Sequence, residues 1–238
     1  MNENDRSMTA IVEFQIRTET TSLDEWLDEW QKRADDAYLH EPETLAYEAA
    51  VNIDDESRVL IFERYQHGRS SLQKHMDRPA HALLQETMGA RRMTKRRVMA
   101  NLGADIKDYG WWSRPGTGSP QRTAGMPLTL LRMRFSELVQ RDVFVELSQS
   151  HAKYCFVEEP ETLVYSAAIA LNETKPDAPI VRDDLMFVMT CTDVAAETKH
   201  ALDPHHLALG TKLEERGLDL SGGIADQYRT TGRGYLWR

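Results

Sequence analysis

The stretch Glu41-Pro42-Glu43-Thr44-Leu45-Ala46-Tyr47-Glu48-Ala49-Ala50-Val51 reappears as Glu159-Pro160-Glu161-Thr162-Leu163-Val164-Tyr165-Ser166-Ala167-Ala168-Ile169, identical at eight of eleven positions. Two more matches follow in the same order. Lys74, His75, Pro79 and His81 return as Lys199, His200, Pro204 and His206. Gly110-Trp111-Trp112-Ser113-Arg114 returns loosely as Gly234-Tyr235-Leu236-Trp237-Arg238. Three ordered matches spread over most of both halves make the chain an internal duplication. The offset rises from 118 at Glu41/Glu159 to 125 at His75/His200. The extra residues fall at 172–179, where two prolines predict a longer loop. Residues 114–127 hold three prolines and three glycines, the composition of a linker. The expected division is therefore a first domain at 1–114, a linker at 115–127 and a second domain at 128–238.

Working outward, residues 9–17 alternate, with Val12, Phe14 and Ile16 on one side and Glu13, Gln15 and Arg17 on the other. Period two predicts a half-buried strand. Ser22-Leu23-Asp24-Glu25 is a capping box. The helix it opens carries Leu23, Leu27, Trp30, Ala34 and Ala37 on one stripe and should stop at Glu41-Pro42. Residues 44–53 and 58–66 read as strands separated by turn chemistry. Residues 70–88 read as a helix bent near Pro79, residues 91–102 as a further helix and 109–114 as a short aromatic strand. The second half repeats this order at 128–135, 137–154, 162–171, 185–190, 194–215 and 228–238. The predicted fold class is α+β, two ferredoxin-like β-α-β-β-α-β repeats. Each open sheet has one face left bare by its helices, so the two are expected to pack sheet to sheet as a pseudo-dimeric α/β barrel.

Composition narrows the function classes. The 238 residues carry 29 basic and 38 acidic side chains, a net charge of −9. That balance repels phosphate backbones, so nucleic acid is not an expected partner. The basic run Arg91, Arg92, Lys95, Arg96 and Arg97 reads as a solvated helix end. Two cysteines, Cys155 and Cys191, form no disulfide framework and fit a reducing compartment. The polar first ten residues have no apolar leader, and no apolar run approaches the ~20 residues that span a bilayer. A cytoplasmic protein without a membrane partner is expected.

The Glu-Pro-Glu-Thr-Leu-x-Tyr strand, the strand Ile61-Phe62-Glu63-Arg64-Tyr65, and Ser71-Leu72-Gln73-Lys74-His75 with Pro79 resemble the antibiotic biosynthesis monooxygenase family. The resemblance covers both halves and is closer in the first. It implies dimeric α/β barrels, so a homodimer is compatible with it. It also implies cofactor-independent oxidation of electron-rich phenols, anthrones or quinols in secondary metabolism, with molecular oxygen as co-substrate and a small aromatic substrate as the partner. Related barrels isomerise or cyclise polyketides, and a non-catalytic binding barrel is the third alternative.

His75 and His200 hold the same repeat position, and histidine is the side chain that titrates near neutrality, so His75 is the expected base. Tyr65 and Arg64 end the third strand of the first repeat only and complete the expected catalytic set. Tyr47 and Tyr165 match across repeats and could orient a phenolic substrate. Glu63, His81, Trp111, Trp112, Tyr165, His200 and His206 join Tyr47 as expected substrate contacts, with Trp237 on the terminal strand. Each of these also has a structural reading, as core aromatics or surface histidines. The linear spacing of His200, His205 and His206, with no cysteine or carboxylate completing a recognisable set, argues against a metal. No GxGxxG or GxSxG pattern is present, and the haem-ligand position of related barrels is occupied by Gln85 or Gly210. No cofactor and no metal are expected. The first repeat, which keeps the Phe62-Glu63-Arg64-Tyr65 strand, is the expected working copy; Phe187-Val188-Met189-Thr190 is read as its replacement in the second.

Overall fold

A computed structural model describes residues 6–114, 116, 122–172 and 178–238. Residues 115 and 117–121 of the expected linker, and 173–177 of the expected long loop, lie outside the described residues. The element order is β1 (Met8–Ile16), α1 (Leu23–His40), β2 (Thr44–Asn52), β3 (Arg58–Tyr65), α2 (Gly68–Met76), α3 (Pro79–Ala90) and β4 (Thr94–Asp105). It continues with β5 (Ala124–Met133), α4 (Leu138–Glu158), β6 (Thr162–Ala170), β7 (Leu185–Cys191), α5 (Val194–Leu202), α6 (Pro204–Glu215) and β8 (Gly223–Thr231). Each half is an α+β ferredoxin-like repeat. No helix among the described residues is long and apolar enough to cross a membrane.

The chain forms two compact units. The first holds 6–105, 122–125 and 228–238; the second holds 106–114, 126–172 and 178–227. They differ from the sequence division at the ends, because each repeat's aromatic tail is built into the unit made mainly by the other. The tails are fixed by paired backbone bonds. Tyr47 and Tyr235 exchange N–H···O bonds of 2.9 Å each, and Trp111 and Tyr165 exchange bonds of 2.7 and 2.9 Å. Gly110 and Gly234 explain their own recurrence: a Cβ would fall 1.8 Å from the Tyr165 carbonyl oxygen in one case and 2.1 Å from that of Tyr47 in the other. Only glycine permits so close a backbone approach. The arginine ending each tail then donates to carbonyls at a helix C-terminus, Arg238 to Ala37 and Tyr38, Arg114 to Cys155, Phe156 and Glu159.

In the first unit the antiparallel sheet runs β4-β1-β3-β2, and residues 228–230 of β8 pair with β2. The Ser22 capping box forms as expected and opens α1, whose C-cap is Glu41. Trp26, Leu27, Trp30, Ala34 and Ala37 pack onto Tyr47, Ala49, Val59 and Ile61. Alternation sends Ile11, Glu13, Glu48, Phe62 and Arg64 to the opposite face of the sheet, and they too are buried. In the second unit β7 pairs with β5 and β6, and Phe144, Ala152 and Cys155 of α4 pack with Tyr165, Phe187, Met189, Leu209 and Leu213.

Several sequence expectations are corrected. The segment after Arg92 is strand β4 rather than helix; from Met99 to Asp105 every second residue is buried. The preceding cluster of good helix formers conceals that period. The tails at 109–114 and 232–238 make single bridges, and the final strands are β4 and β8. Each second helix is broken into two at Pro79 or Pro204, not merely bent, since proline lacks the N–H that would continue it. The repeat alignment at β3 shifts by one residue: Tyr65 pairs with Thr44 as Cys191 pairs with Thr162, so Glu63, Arg64 and Tyr65 correspond to Met189, Thr190 and Cys191.

Candidate functional site

In the first unit, Glu41 at the end of α1 is placed against His75 in the last turn of α2. The His75 Nδ1 lies 2.8 Å from Glu41 Oε2 and also 2.8 Å from Arg33 Nη2. A guanidinium only donates, so one ring nitrogen cannot serve both partners. Arg33 already has acceptors in the His75 carbonyl at 3.0 Å and Asp36 Oδ2 at 3.2 Å, and it is ion-paired with Glu41 Oε1 at 2.6 Å. We therefore assign the Nδ1–H to donate to Glu41. Thr44 Oγ1 donates to Glu41 Oε2 at 2.8 Å. Burial alone would push the Glu41 carboxyl up; the His75 bond and charge and the Arg33 charge outweigh it and bring the carboxyl down to about 2.

Around this triad lies a ring cluster. The His75 ring is 5.0 Å from Tyr47, 5.5 Å from Tyr65 and 5.4 Å from His81, each edge to face. Tyr65 donates its hydroxyl proton to Glu63. Burial raises the Glu63 carboxyl and the Tyr47 phenol above their ordinary values, and burial with the nearby Glu63 charge raises Tyr65. Burial, then the His75 and Arg33 charges, lowers His81 to about 4, which keeps it neutral. Tyr47, Tyr65 and His75 are buried and His81 is half-buried. A cleft of about 200 Å³ opens beside Glu41, walled by His40, Glu43, Thr44, Ser71, Lys74 and Arg78.

His75, Tyr65, Tyr47, Glu63 and His81 thus come together as expected from the sequence. Arg64 does not. It lies one residue from both Glu63 and Tyr65 on an alternating strand, so it faces away and pairs with Asp105, which also accepts from Thr9 and Ser7. Trp237 is buried in the tail of the first unit, and the remaining expected contacts belong to the second unit. Trp111 stacks on Tyr165 at 5.5 Å and 20°, Trp112 beside it in the chain is half-buried, and His200 and His206 sit on α5 and α6.

The second unit repeats the carboxylate–imidazole pair. His200 Nδ1 lies 2.8 Å from Glu159 Oε2, and Thr162 donates to the same oxygen at 3.1 Å. The place of Arg33 is taken by His151, at the same offset of 118 that relates Glu41 to Glu159. The place of Ala37 is taken by Cys155, and that of Ala80 by His205. His151 Nε2 is 3.2 Å from His206 Nδ1 and 3.3 Å from Cys155 Sγ. Burial, then the neighbouring histidines, lowers His151 to about 4, and burial raises the Cys155 thiol. Sequence reading missed Arg33, His151 and Cys155. The available signal was polar residues inside the apolar stripe of a helix: Arg33 lies between Trp30 and Ala37, and His151, Cys155 and Glu159 are spaced four apart along one face.

Residues 8–87 match the family model of antibiotic biosynthesis monooxygenases. The match lies within the first repeat. No curated protein matches the chain. Among solved structures, a candidate monooxygenase of Lactobacillus acidophilus is 12% identical, with a TM-score of 0.70 over 98% of this chain and 99% of that one. A candidate monooxygenase of Fusobacterium nucleatum is 9% identical, with a TM-score of 0.73 over 95% and 93%. An anthrone oxidase-like protein is 10% identical, with a TM-score of 0.60 over 97% and 93%. At these identities the likeness is one of fold. The family match falls on the repeat that carries Arg33, Glu41, Tyr47, Glu63, Tyr65 and His75.

Proposed function

We propose that the first unit oxidises an electron-rich aromatic compound of the phenol, anthrone or quinol class with molecular oxygen, using no cofactor. One observation carries this reading: a buried histidine whose Nδ1 is held by a carboxylate stands beside two phenols, in the repeat that matches the monooxygenase family. An anthrone methylene is acidic because its carbanion is a delocalised phenolate. His75 Nε2 takes that proton, and Glu41 stabilises the resulting imidazolium. The carbanion passes one electron to oxygen, and the radical and superoxide combine to form the C–O bond. The imidazolium returns its proton to the peroxide. Cleavage of the O–O bond with loss of the second C–H proton yields the ketone and one water, so substrate and O₂ become quinone and H₂O. A dry, preorganised surrounding keeps the carbanion from bulk protons and makes the donors near it effective. Tyr47 is the candidate donor to the developing oxyanion, and Glu63, raised by burial, a candidate proton reservoir.

The test is incubation of the purified chain with an anthrone and a hydroquinone, with and without air, while oxygen uptake and product are recorded. One O₂ consumed per ketone formed, and no product without air, is the expected result. Product formed equally well without oxygen would replace the reading by an isomerase or cyclase using the same base. No turnover of either substrate would favour a binding barrel.

A further inference from the structure

The cluster in the second unit lies outside this chemistry, and its composition points elsewhere. Glu159 is buried, and its Oε1 has no hydrogen-bond partner among the described residues. The corresponding oxygen of Glu41 likewise accepts no hydrogen bond among the described residues, but it is ion-paired with the Arg33 guanidinium at 2.6 Å. A buried carboxylate without an equivalent cation is costly. In place of the guanidinium stand groups that carry lone pairs.

We propose that the second unit binds one borderline divalent transition-metal ion, of the zinc or cobalt kind, through the imidazoles of His151, His200 and His206. The nitrogens of these three lie within 4.8 Å of one another. The His151 Nε2 to His206 Nδ1 separation of 3.2 Å is close to the roughly 3.3 Å that two ~2.05 Å bonds subtend at a tetrahedral ion. Hydrogen bonding selects the donor atoms. His200 Nδ1 is committed to Glu159, which leaves Nε2 for the ion. His151 Nδ1 lies 3.0 Å from His205 Nδ1, which can accept the His151 Nδ1–H and so leave the lone pair on His151 Nε2. Glu159 then has the role of an outer carboxylate that orients a ligating histidine, and the ion supplies the positive charge that Arg33 supplies in the other repeat. Imidazoles with a thiol at 3.3 Å favour borderline ions over magnesium or calcium, which prefer oxygen. The linear spacing of the histidines did not suggest this, because the ligands come from three helices, α4, α5 and α6.

The experiment uses the full chain, stripped with a chelator and titrated with Zn²⁺ against a chromogenic competitor. Thermal unfolding is followed with and without the ion. One equivalent should bind, and binding should raise the melting temperature. Glu159→Gln should weaken the affinity about 10–100-fold. His151→Arg, which installs the residue of the first repeat, should fold, bind no zinc at this site and melt at a temperature independent of zinc. His206→Gln, at a half-buried position, gives a second loss of binding should the arginine variant not fold. Absence of stoichiometric uptake by the wild-type chain overturns the proposal. So does wild-type affinity in either His151→Arg or His206→Gln, which would place the ion on other groups. None of these readouts depends on turnover in the first unit.

Discussion

At the end of α1 a buried carboxylate meets an imidazole and a guanidinium; at the end of α4 the equivalent carboxylate meets an imidazole, which has further imidazoles and a thiol around it. The surrounding frame is the same in both: a Glu-Pro turn, a threonine donating to the carboxylate and a histidine on the fifth segment of the repeat. The difference rests on a few side chains. Arg33, Glu63 and Tyr65 in one repeat stand where His151, Met189 and Cys191 stand in the other. The first repeat keeps a base with phenols and a second carboxyl around it. The second keeps the pair and one phenol, Tyr165, but surrounds them with further imidazoles, a thiol and apolar groups. The two repeats share a fold and differ in the side chains around the carboxylate–imidazole pair.

The comparison can be broken first at its cations. Arg33→Ala removes the buried guanidinium 2.6 Å from Glu41, leaving it the His75 bond and the more distant Arg78 at 3.8 Å, and should destabilise the chain by about 3–5 kcal/mol in urea unfolding. His151→Ala in metal-free protein removes a neutral ring and should cost less, within the ~0.5–3 kcal/mol of ordinary substitutions. Equal losses would mean that the two positions are not electrostatically distinct. Next in size is Glu41→Gln, which frees the His75 ring and removes the charge that stabilises its imidazolium. Turnover of the oxidised substrate should fall about a hundredfold in steady-state oxygen uptake. An unchanged rate would detach Glu41 from the base.

A third contrast is one of pH. Glu48 is buried on the far face of the first unit's sheet, accepts from Thr231, and is pushed up by burial to about 8; its counterpart is Ser166, which donates to the Tyr109 carbonyl. A carboxyl raised from 4.5 to about 8 binds its proton more tightly folded than unfolded. Its contribution to stability is therefore full below 4.5 and is lost as the pH rises through about 8. Glu48→Gln should flatten the fall of melting temperature over that window, and a profile unaltered by the substitution would contradict the assignment. The smallest expected effect concerns the exchanged tails. Arg114→Ala and Arg238→Ala each remove bonds to helix-end carbonyls and should each lower stability by about 1 kcal/mol. A marked inequality in calorimetry would show that the two tails have diverged as the pockets have.

The fold was legible because duplication and period two are both local signals. β1, α1, β2 and β3 appear close to where alternation, the capping box and Glu41-Pro42 put them. β4 was not legible, since Arg91, Arg92, Lys95, Arg96 and Arg97 favour helix intrinsically while the β1 ladder imposes strand. His75 and Tyr47 stood out because they recur in the second repeat. Arg33 and His151 did not, because comparing repeats reveals what was kept and hides what was exchanged. Arg64 was grouped with Tyr65 by adjacency, although strand alternation separates adjacent residues onto opposite faces. The histidine cluster required tertiary structure: His151 is 49 residues from His200 in the chain, yet the two rings lie 5.5 Å apart.

The central claim is that the two histidines sharing one repeat position do different work. Initial rates of oxygen uptake by His75→Ala and His200→Ala, measured side by side on correctly folded protein, test it most directly. The account predicts a loss of about 10²–10⁴-fold for His75→Ala and of less than about tenfold for His200→Ala. Equal losses, or a larger loss at His200, would contradict it and move the chemistry into the second unit.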